Sequence, residues 1–329
     1  MATDTQRDID EALARKLLPT RAPDAHKWGV GGVIVVAGSP SYPGAAVLAS
    51  RAAGRAGAGI VLLATSRSVI SAVASAIPEV AFVPLPETES SSGARHAAEL
   101  IREKTEKAKA AVIGPGLGDD DASHGLLGSL FGFGERSQAV RERLGFGGVS
   151  ATNADASGVP TETILTGTDI RVVLDADALN WLARQPDWWD HVLPQRLVLT
   201  PHAGEMGRLL DCPTDDILAD PVGTARAAAA KWNQVVLLKG ERAVVTDGSQ
   251  VLVAEGGSGA LATAGSGDVL AGTTGALLAQ TGSPLEAAAL AVYAGPRAAA
   301  AVATRFGVLG VIATDLPDAI ADELAKLAG

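Results

Sequence analysis

Val33-Ile34-Val35-Val36-Ala37 is an unbroken apolar run, and Ile60-Val61-Leu62-Leu63-Ala64 is a second, with an Ala-rich stretch at 44–57 between them. Short β-branched runs without polar alternation belong in a sheet covered on both faces, and the stretch between them reads as the crossover helix of a βαβ unit. Runs of the same kind recur at 80–83, 110–113, 172–174, 197–199 and 235–238, with another crossover helix at 68–77. The alternation predicts an α/β fold built on one mostly parallel sheet. Residues 244–246 and 251–254 flank Asp247-Gly248-Ser249, a turn signal that predicts a small antiparallel hairpin at the sheet edge.

Working outward, three helices are expected to close the chain, at 268–280, 284–303 and 314–327. Ser283-Pro284 supplies an N-cap and an N1 proline for the second of them, and Thr314-Asp315 opens the third. Residues 119–169 differ from the rest, being Gly-rich at 125–148 and polar at 150–168. They read as a surface insertion in a single catalytic domain spanning 1–329.

Hydrophobic residues make up 47% of the chain, enough for a packed interior, and 27 Lys plus Arg against 37 Asp plus Glu give a net charge of −10. That balance argues against general attraction to nucleic acid or to an anionic membrane, so any phosphate must be held locally. The lone Cys212 cannot close an internal disulfide, and no CxxC or Cys/His cluster points to zinc. Residues 1–18 are polar and charged, and no 18 apolar residues run together. The expectation is a cytoplasmic protein without a membrane span.

The strongest chemical signal is Thr263-Ala264-Gly265-Ser266-Gly267-Asp268, directly before an apolar helix. Amides at a helix N-terminus have no intrahelical partners, and glycines let a phosphate approach them. A carboxylate in that first turn could take a proton from an attacking hydroxyl during phosphoryl transfer, which makes Asp268 the candidate base. The alternative is that Asp268 only complements the helix dipole. Ile113-Gly114-Pro115-Gly116-Leu117-Gly118-Asp119 follows a strand, where glycines such as Gly116 and Gly118 permit close approach of a ligand. Its spacing is not GxGxxG, and no GxxxxGK[ST] occurs. Asp175 and Asp177 lie past another strand, where Asp177 could act in the site or simply start a helix. His202 and Glu205 follow a third. Lys239 ends a fourth, and a buried lysine there needs an anionic partner, either a nucleotide or a carboxylate of the chain. Trp181, Trp188 and Trp189 read as packing or as part of the insertion.

Taken in order, these motifs resemble the ADP/ATP-dependent NAD(P)H-hydrate dehydratases, which share the ribokinase-like fold. The resemblance covers nearly the whole chain. It runs from Leu17-Leu18-Pro19-Thr20-Arg21 and His26-Lys27 through Gly38-Ser39, Tyr42, Gly44-Ala45 and Gly57-Ala58-Gly59 to the motifs already quoted. It departs where Trp28 replaces a usual Gly, and at 257–264, where the family's Asn, Pro and Met are missing. It implies that Lys239, Gly240, Glu241, Arg242, Ala243 and Gly267 bind the nucleotide, and that Ala45, Gly118, His202 and Asp268 bind the hydrated dinucleotide. Gly116 joins the substrate group, and Gly265 and Ser266 the phosphate group. The implied reaction phosphorylates the hydroxyl of the hydrated nicotinamide ring and eliminates phosphate, giving AMP when ADP is the donor. Mg²⁺ on the nucleotide's phosphates, with no nameable protein ligand, and a homo-oligomer are also expected. A fused epimerase domain found in some members is not in this sequence, so epimerisation is expected of another protein. The competing readings are an ATP-dependent vitamin-precursor kinase of the same fold and a catalytically silent nucleotide-binding protein.

Overall fold

Ten strands form one sheet: β1 (Gln6–Asp8), β2 (Gly32–Val36), β3 (Ile60–Ser66), β4 (Ala81–Leu85), β5 (Ala108–Ile113), β6 (Arg171–Leu174), β7 (Leu197–Leu199), β8 (Val235–Leu238), β9 (Ala243–Thr246) and β10 (Val251–Ala254). The structure is a computed structural model describing residues 6–87, 89–133, 163–165, 167–254 and 259–329. Most of the insertion expected at 119–169 lies outside the described residues; near its start is the helix Asp121–Phe131.

The strand order is β1-β10-β9-β8-β7-β6-β5-β2-β3-β4. Only β9 runs antiparallel to its neighbours. The chain winds from β2 out to β4, returns to the other side of β2 as β5, and continues outward to β8. Such a reversal opens a crevice beyond the carboxyl ends of the two strands at the switch, here β2 and β5. Gly114 donates to Val36 O at 3.1 Å and Gly38 to Pro115 O at 2.9 Å, which ties together the two loops leaving that crevice.

Successive strand residues face opposite layers, and both layers are apolar. Val33 and Val35 pack with the helices Pro43–Arg55, Ser266–Thr281, Pro284–Phe306 and Leu316–Ala328. Ile34 and Val36 pack with Ser91–Thr105, Asp121–Phe131, Asp177–Leu182, Ala203–Leu210 and Pro221–Trp232. Trp181 and Trp188 are buried in this second layer, which makes them packing residues. The Ser266–Thr281 helix lies unusually close to its neighbours, since a methyl at Gly272 would overlap the carbonyl of Ala49 and one at Gly275 would overlap Val112. That contact fixes where its N-terminus emerges. The Pro284–Phe306 helix is long and apolar enough to cross a membrane by length and composition; 56% of its most apolar window is buried inside the protein.

Two features differ from the expectation. The hairpin β9–β10 is not the last pair of the sheet, because β1 lies outside it, parallel to β10. Gln6-Arg7-Asp8 is exposed throughout, so it carries no apolar signal. The helix expected from 268 starts instead at Ser266, with Gly265 as its N-cap at φ 90°, a conformation glycine adopts without strain.

Candidate active site

Three strand ends and one helix N-terminus converge on a group of charged side chains. β6 delivers Asp175, which is only 2% exposed. Its Oδ1 accepts from Thr200 Oγ1 and from Lys239 Nζ, both at 2.8 Å. Lys239 is held past the end of β8 by donating its backbone N–H to Pro201 O at 2.8 Å, and its ammonium lies 3.6 Å from Glu205 Oε2. Burial opposes the Lys239 charge, but Asp175 and Glu205 outweigh it and raise the pKa. The buried lysine has therefore found carboxylates of the chain itself. Glu205 also closes a capping box with His202: the Glu205 carboxylate accepts from His202 N at 2.8 Å, and His202 Nδ1 accepts from Gly204 N at 3.0 Å.

Asp268 stands in the first turn of the Ser266–Thr281 helix, whose end is capped by no side chain. The Ser266 amide turns back to Thr263 O at 3.3 Å and its hydroxyl donates to Leu261 O at 2.8 Å. The free donors of the expected anion hole are thus the next amides, of Gly267 and Asp268. Burial, then the Asp175 charge, pushes the Asp268 carboxyl up to about 7; Lys239 pulls the other way and Asp177 adds to the rise. Asp177 Oδ2 accepts from Gly118 N at 2.8 Å, so this aspartate orients the glycine loop as well as opening the Asp177–Leu182 helix. Ala176, between the two aspartates, is held at φ 49° and ψ −116°, a strained backbone of the kind that concentrates at functional sites.

Two cavities meet at Gly267-Asp268. The first, about 500 Å³, is lined by Tyr42, Gly44, Ala45, Gly116, Asp177 and Asp268. The second, about 230 Å³, has Lys239, Gly240, Ser266 and Gly267 at its polar end and Val269, Pro296 and Ile320 among its apolar walls. A carboxylate poised near neutrality between a wide cavity of mixed lining and a narrow apolar one beside free helix amides suits transfer of a phosphoryl group between two ligands.

Comparison with known proteins agrees with this geometry. The family model described as NAD(P)H-hydrate dehydratase matches residues 33–132 and 153–322. The chain belongs to the NAD(P)H-hydrate dehydratase family. It is 35% identical over 316 residues to the bifunctional NAD(P)H-hydrate repair enzyme of Salinibacter ruber, covering 95% of this chain and 52% of that protein. It is 33% identical over 229 residues to the ADP-dependent (S)-NAD(P)H-hydrate dehydratase of Xanthomonas campestris, covering 70% of this chain and 65% of that one. The chain therefore spans about half to two thirds of the length of these relatives. The crystal structure of the Bacillus subtilis ADP/ATP-dependent NAD(P)H-hydrate dehydratase, co-crystallised with ATP and Mg²⁺, superposes with a TM-score of 0.74 at 25% identity, covering 99% of this chain and 100% of that one. The ribokinase-like protein of Enterococcus faecalis, at 20% identity and a TM-score of 0.76, shares the fold.

Of the residues the family resemblance singles out, Ala45, Gly116, Gly265 and Asp268 line the wide cavity, and Lys239, Gly240, Ala243, Ser266 and Gly267 the narrow one. Gly118 touches the site through Asp177. His202 lines neither cavity; its ring is half exposed, caps a helix, and reaches the site only through Glu205 and Lys239. Glu241 and Arg242 are exposed, and Arg242 lies 3.6 Å from Asp8. Reading the sequence did not single out Thr273 or Val292, which line the apolar walls. The Gly295-Pro296 pair inside the Pro284–Phe306 helix was their only signal.

Proposed function

We propose that the chain dehydrates hydrated NADH or NADPH, using ADP or ATP as phosphoryl donor. The observation that carries this reading is Asp268, with a carboxyl raised to about 7, set at the boundary of the two cavities. The hydrated ring enters the wide cavity over Ala45 and Gly116, and Asp268 takes the proton of its hydroxyl as the oxygen attacks the terminal phosphorus. The amides of Gly267 and Asp268 receive the phosphoryl oxygens, so charge developing there meets donors already in place. ADP leaves as AMP, or ATP as ADP. The phosphorylated carbon then loses phosphate while a neighbouring ring carbon loses a proton, which restores the double bond. Phosphate is a far better leaving group than hydroxide, and this is the purpose of the nucleotide.

The base of the nucleotide fits the narrow cavity. One polar group interrupts its apolar wall, the Val292 carbonyl, whose helical partner four residues on is Pro296 and has no N–H to give, and behind that wall the Thr273 hydroxyl is buried without a hydrogen-bond partner. A free carbonyl suits a base with an exocyclic amine.

Among the described residues no group of three or more His, Cys, Asp or Glu could hold a metal. Mg²⁺ keeps its waters and is carried mostly by phosphate oxygens with one or two carboxylates. Asp177, lining the wide cavity, is the side chain that would contribute, and the ion would neutralise phosphate charge.

The test is turnover of NADH hydrate by the purified protein with ADP or ATP, followed by the return of NADH absorbance. Phosphorylation of a hydroxymethylpyrimidine or hydroxyethylthiazole with the hydrate untouched would favour a vitamin-precursor kinase. Nucleotide binding without any turnover would favour a silent binding protein.

A further inference from the structure

The wide cavity in front of Asp268 is built before any ligand enters it. On one side the start of the Ser266–Thr281 helix is locked in place, since a methyl on Gly265 would overlap Leu48 and press on Ala313. On the other, a methyl on Gly116 would stand 2.6 Å from Ala45 Cβ and 2.9 Å from Tyr42 Cβ, so the two loops that form this wall pack in direct contact. The bonds from Gly38 N to Pro115 O and from Gly118 N to Asp177 Oδ2 hold the same loops together. Asp268 and the free amides of Gly267 and Asp268 therefore stand ready whether or not a dinucleotide is bound.

The cavity is also a place for water. Tyr42 at its rim is 60% exposed. Its volume of about 500 Å³ is far above the roughly 10–15 Å³ that one water needs. Asp177, Asp268 and the hydroxyls of Ser41 and Tyr42 give water polar partners there. Enzymes that transfer phosphoryl groups commonly protect the donor from water by completing their catalytic groups only when the acceptor closes the site. Here completion does not depend on the acceptor. A water beside Asp268 meets the same base and the same amide donors as the hydroxyl of the hydrated ring. What it lacks is orientation, which for a well-placed group amounts to an effective molarity of about 10⁵–10⁸ M.

We propose that the protein has a second activity, slow hydrolysis of the bound nucleotide by water in the wide cavity, and that reduced dinucleotide suppresses it by filling that cavity. The proposal rests on the reading that the terminal phosphate of the nucleotide lies at Gly267 and Asp268. The water oxygen bonds to the terminal phosphorus, the bond from that phosphorus to the AMP oxygen breaks with its electron pair leaving on AMP, and the water proton passes to Asp268 and on to solvent. From ADP the products are AMP and phosphate. NADH has the ring without the hydroxyl, so it displaces the water and offers Asp268 nothing to activate.

The experiment is incubation of the purified protein with ADP and Mg²⁺ in the absence of any hydrate, with AMP, ATP and phosphate measured by chromatography. AMP and phosphate should appear in equal amounts, at a rate proportional to the protein and about 10³-fold or more below that of hydrate turnover. Asp268→Asn, with its ADP affinity measured alongside, should lower the rate at least about tenfold, and saturating NADH should lower the rate of the parent by a similar factor. No AMP above a protein-free blank, AMP accompanied by ATP instead of phosphate, an equal rate in Asp268→Asn, or a rate indifferent to NADH would overturn the proposal. Turnover of the hydrate without AMP release in its absence would count against the hydrolysis alone, whereas hydrolysis with the hydrate left untouched would count against the dehydratase reading alone.

Discussion

The ammonium of Lys239 sits 2.8 Å from Oδ1 of Asp175, a carboxylate that is 2% exposed. The pair joins β6 to β8 directly behind the N-terminus of the Ser266–Thr281 helix, for a methyl built on Gly267 would stand 3.7 Å from both Asp175 Oδ2 and Lys239 Nζ. The lysine thus does two things: it compensates a buried charge, and it sets the field in which Asp268 ionises.

Lys239→Met should separate these roles. Removing one member of a buried pair leaves the other uncompensated and costs about 3–5 kcal/mol, to be read from urea unfolding. The Lys239 charge also lowers the Asp268 pKa, against the burial and the Asp175 and Asp177 charges that raise it. Without it the acidic limb of the pH–rate profile should move to higher pH. An unchanged limb would mean that Lys239 does not tune the base.

Thr273→Val exchanges a buried, unpartnered hydroxyl for a methyl of similar shape. Relieving an unsatisfied polar group should stabilise the free protein by about 1 kcal/mol. If that hydroxyl recognises the base, the same variant should bind ADP and ATP more weakly. Thermal melts with and without nucleotide report both effects, and a stabilised variant with undiminished affinity would remove Thr273 from the nucleotide site.

Burial and the Asp175 charge push the Asp268 carboxyl up from its ordinary value of 3.8 to about 7 in the fold, so the folded protein binds the extra proton between those limits. Its contribution to stability therefore falls as pH rises from about 4 to 7, and the cost of the buried charge is complete above 7. Asp268→Asn should match the parent near pH 4 and exceed it by roughly 2–4 kcal/mol at pH 8. A variant less stable than the parent at pH 8 would instead support a helix-dipole role for the carboxylate.

The sheet was legible in the sequence because each buried parallel strand is a run of β-branched residues, and because the glycine turns stand at the carboxyl ends where the switch point needs them. β1 was not legible, since three exposed polar residues carry no periodicity. At the site, Asp268 and the glycines before it could be read from the chemistry of a helix N-terminus. The partner of Lys239 could not, because Asp175 is 64 residues away and only the pairing of β6, β7 and β8 brings the two together. The same holds for His202, whose role as a cap depends on Glu205 folding back onto it. The walls of the narrow cavity were hidden for another reason: apolar residues that line a pocket and apolar residues that fill a core look alike in sequence.

The most direct test of the account is kcat of Asp268→Asn with NADH hydrate and ADP, measured beside the Kd for ADP. Asn keeps the size of the side chain and its place at the helix start but cannot accept the proton of the ring hydroxyl. General-base contributions are about 10²–10⁴-fold, so kcat should fall by that order while the Kd for ADP changes by only a few-fold. A variant that turns over NADH hydrate within a few-fold of the parent rate would contradict the assignment of Asp268 as the base.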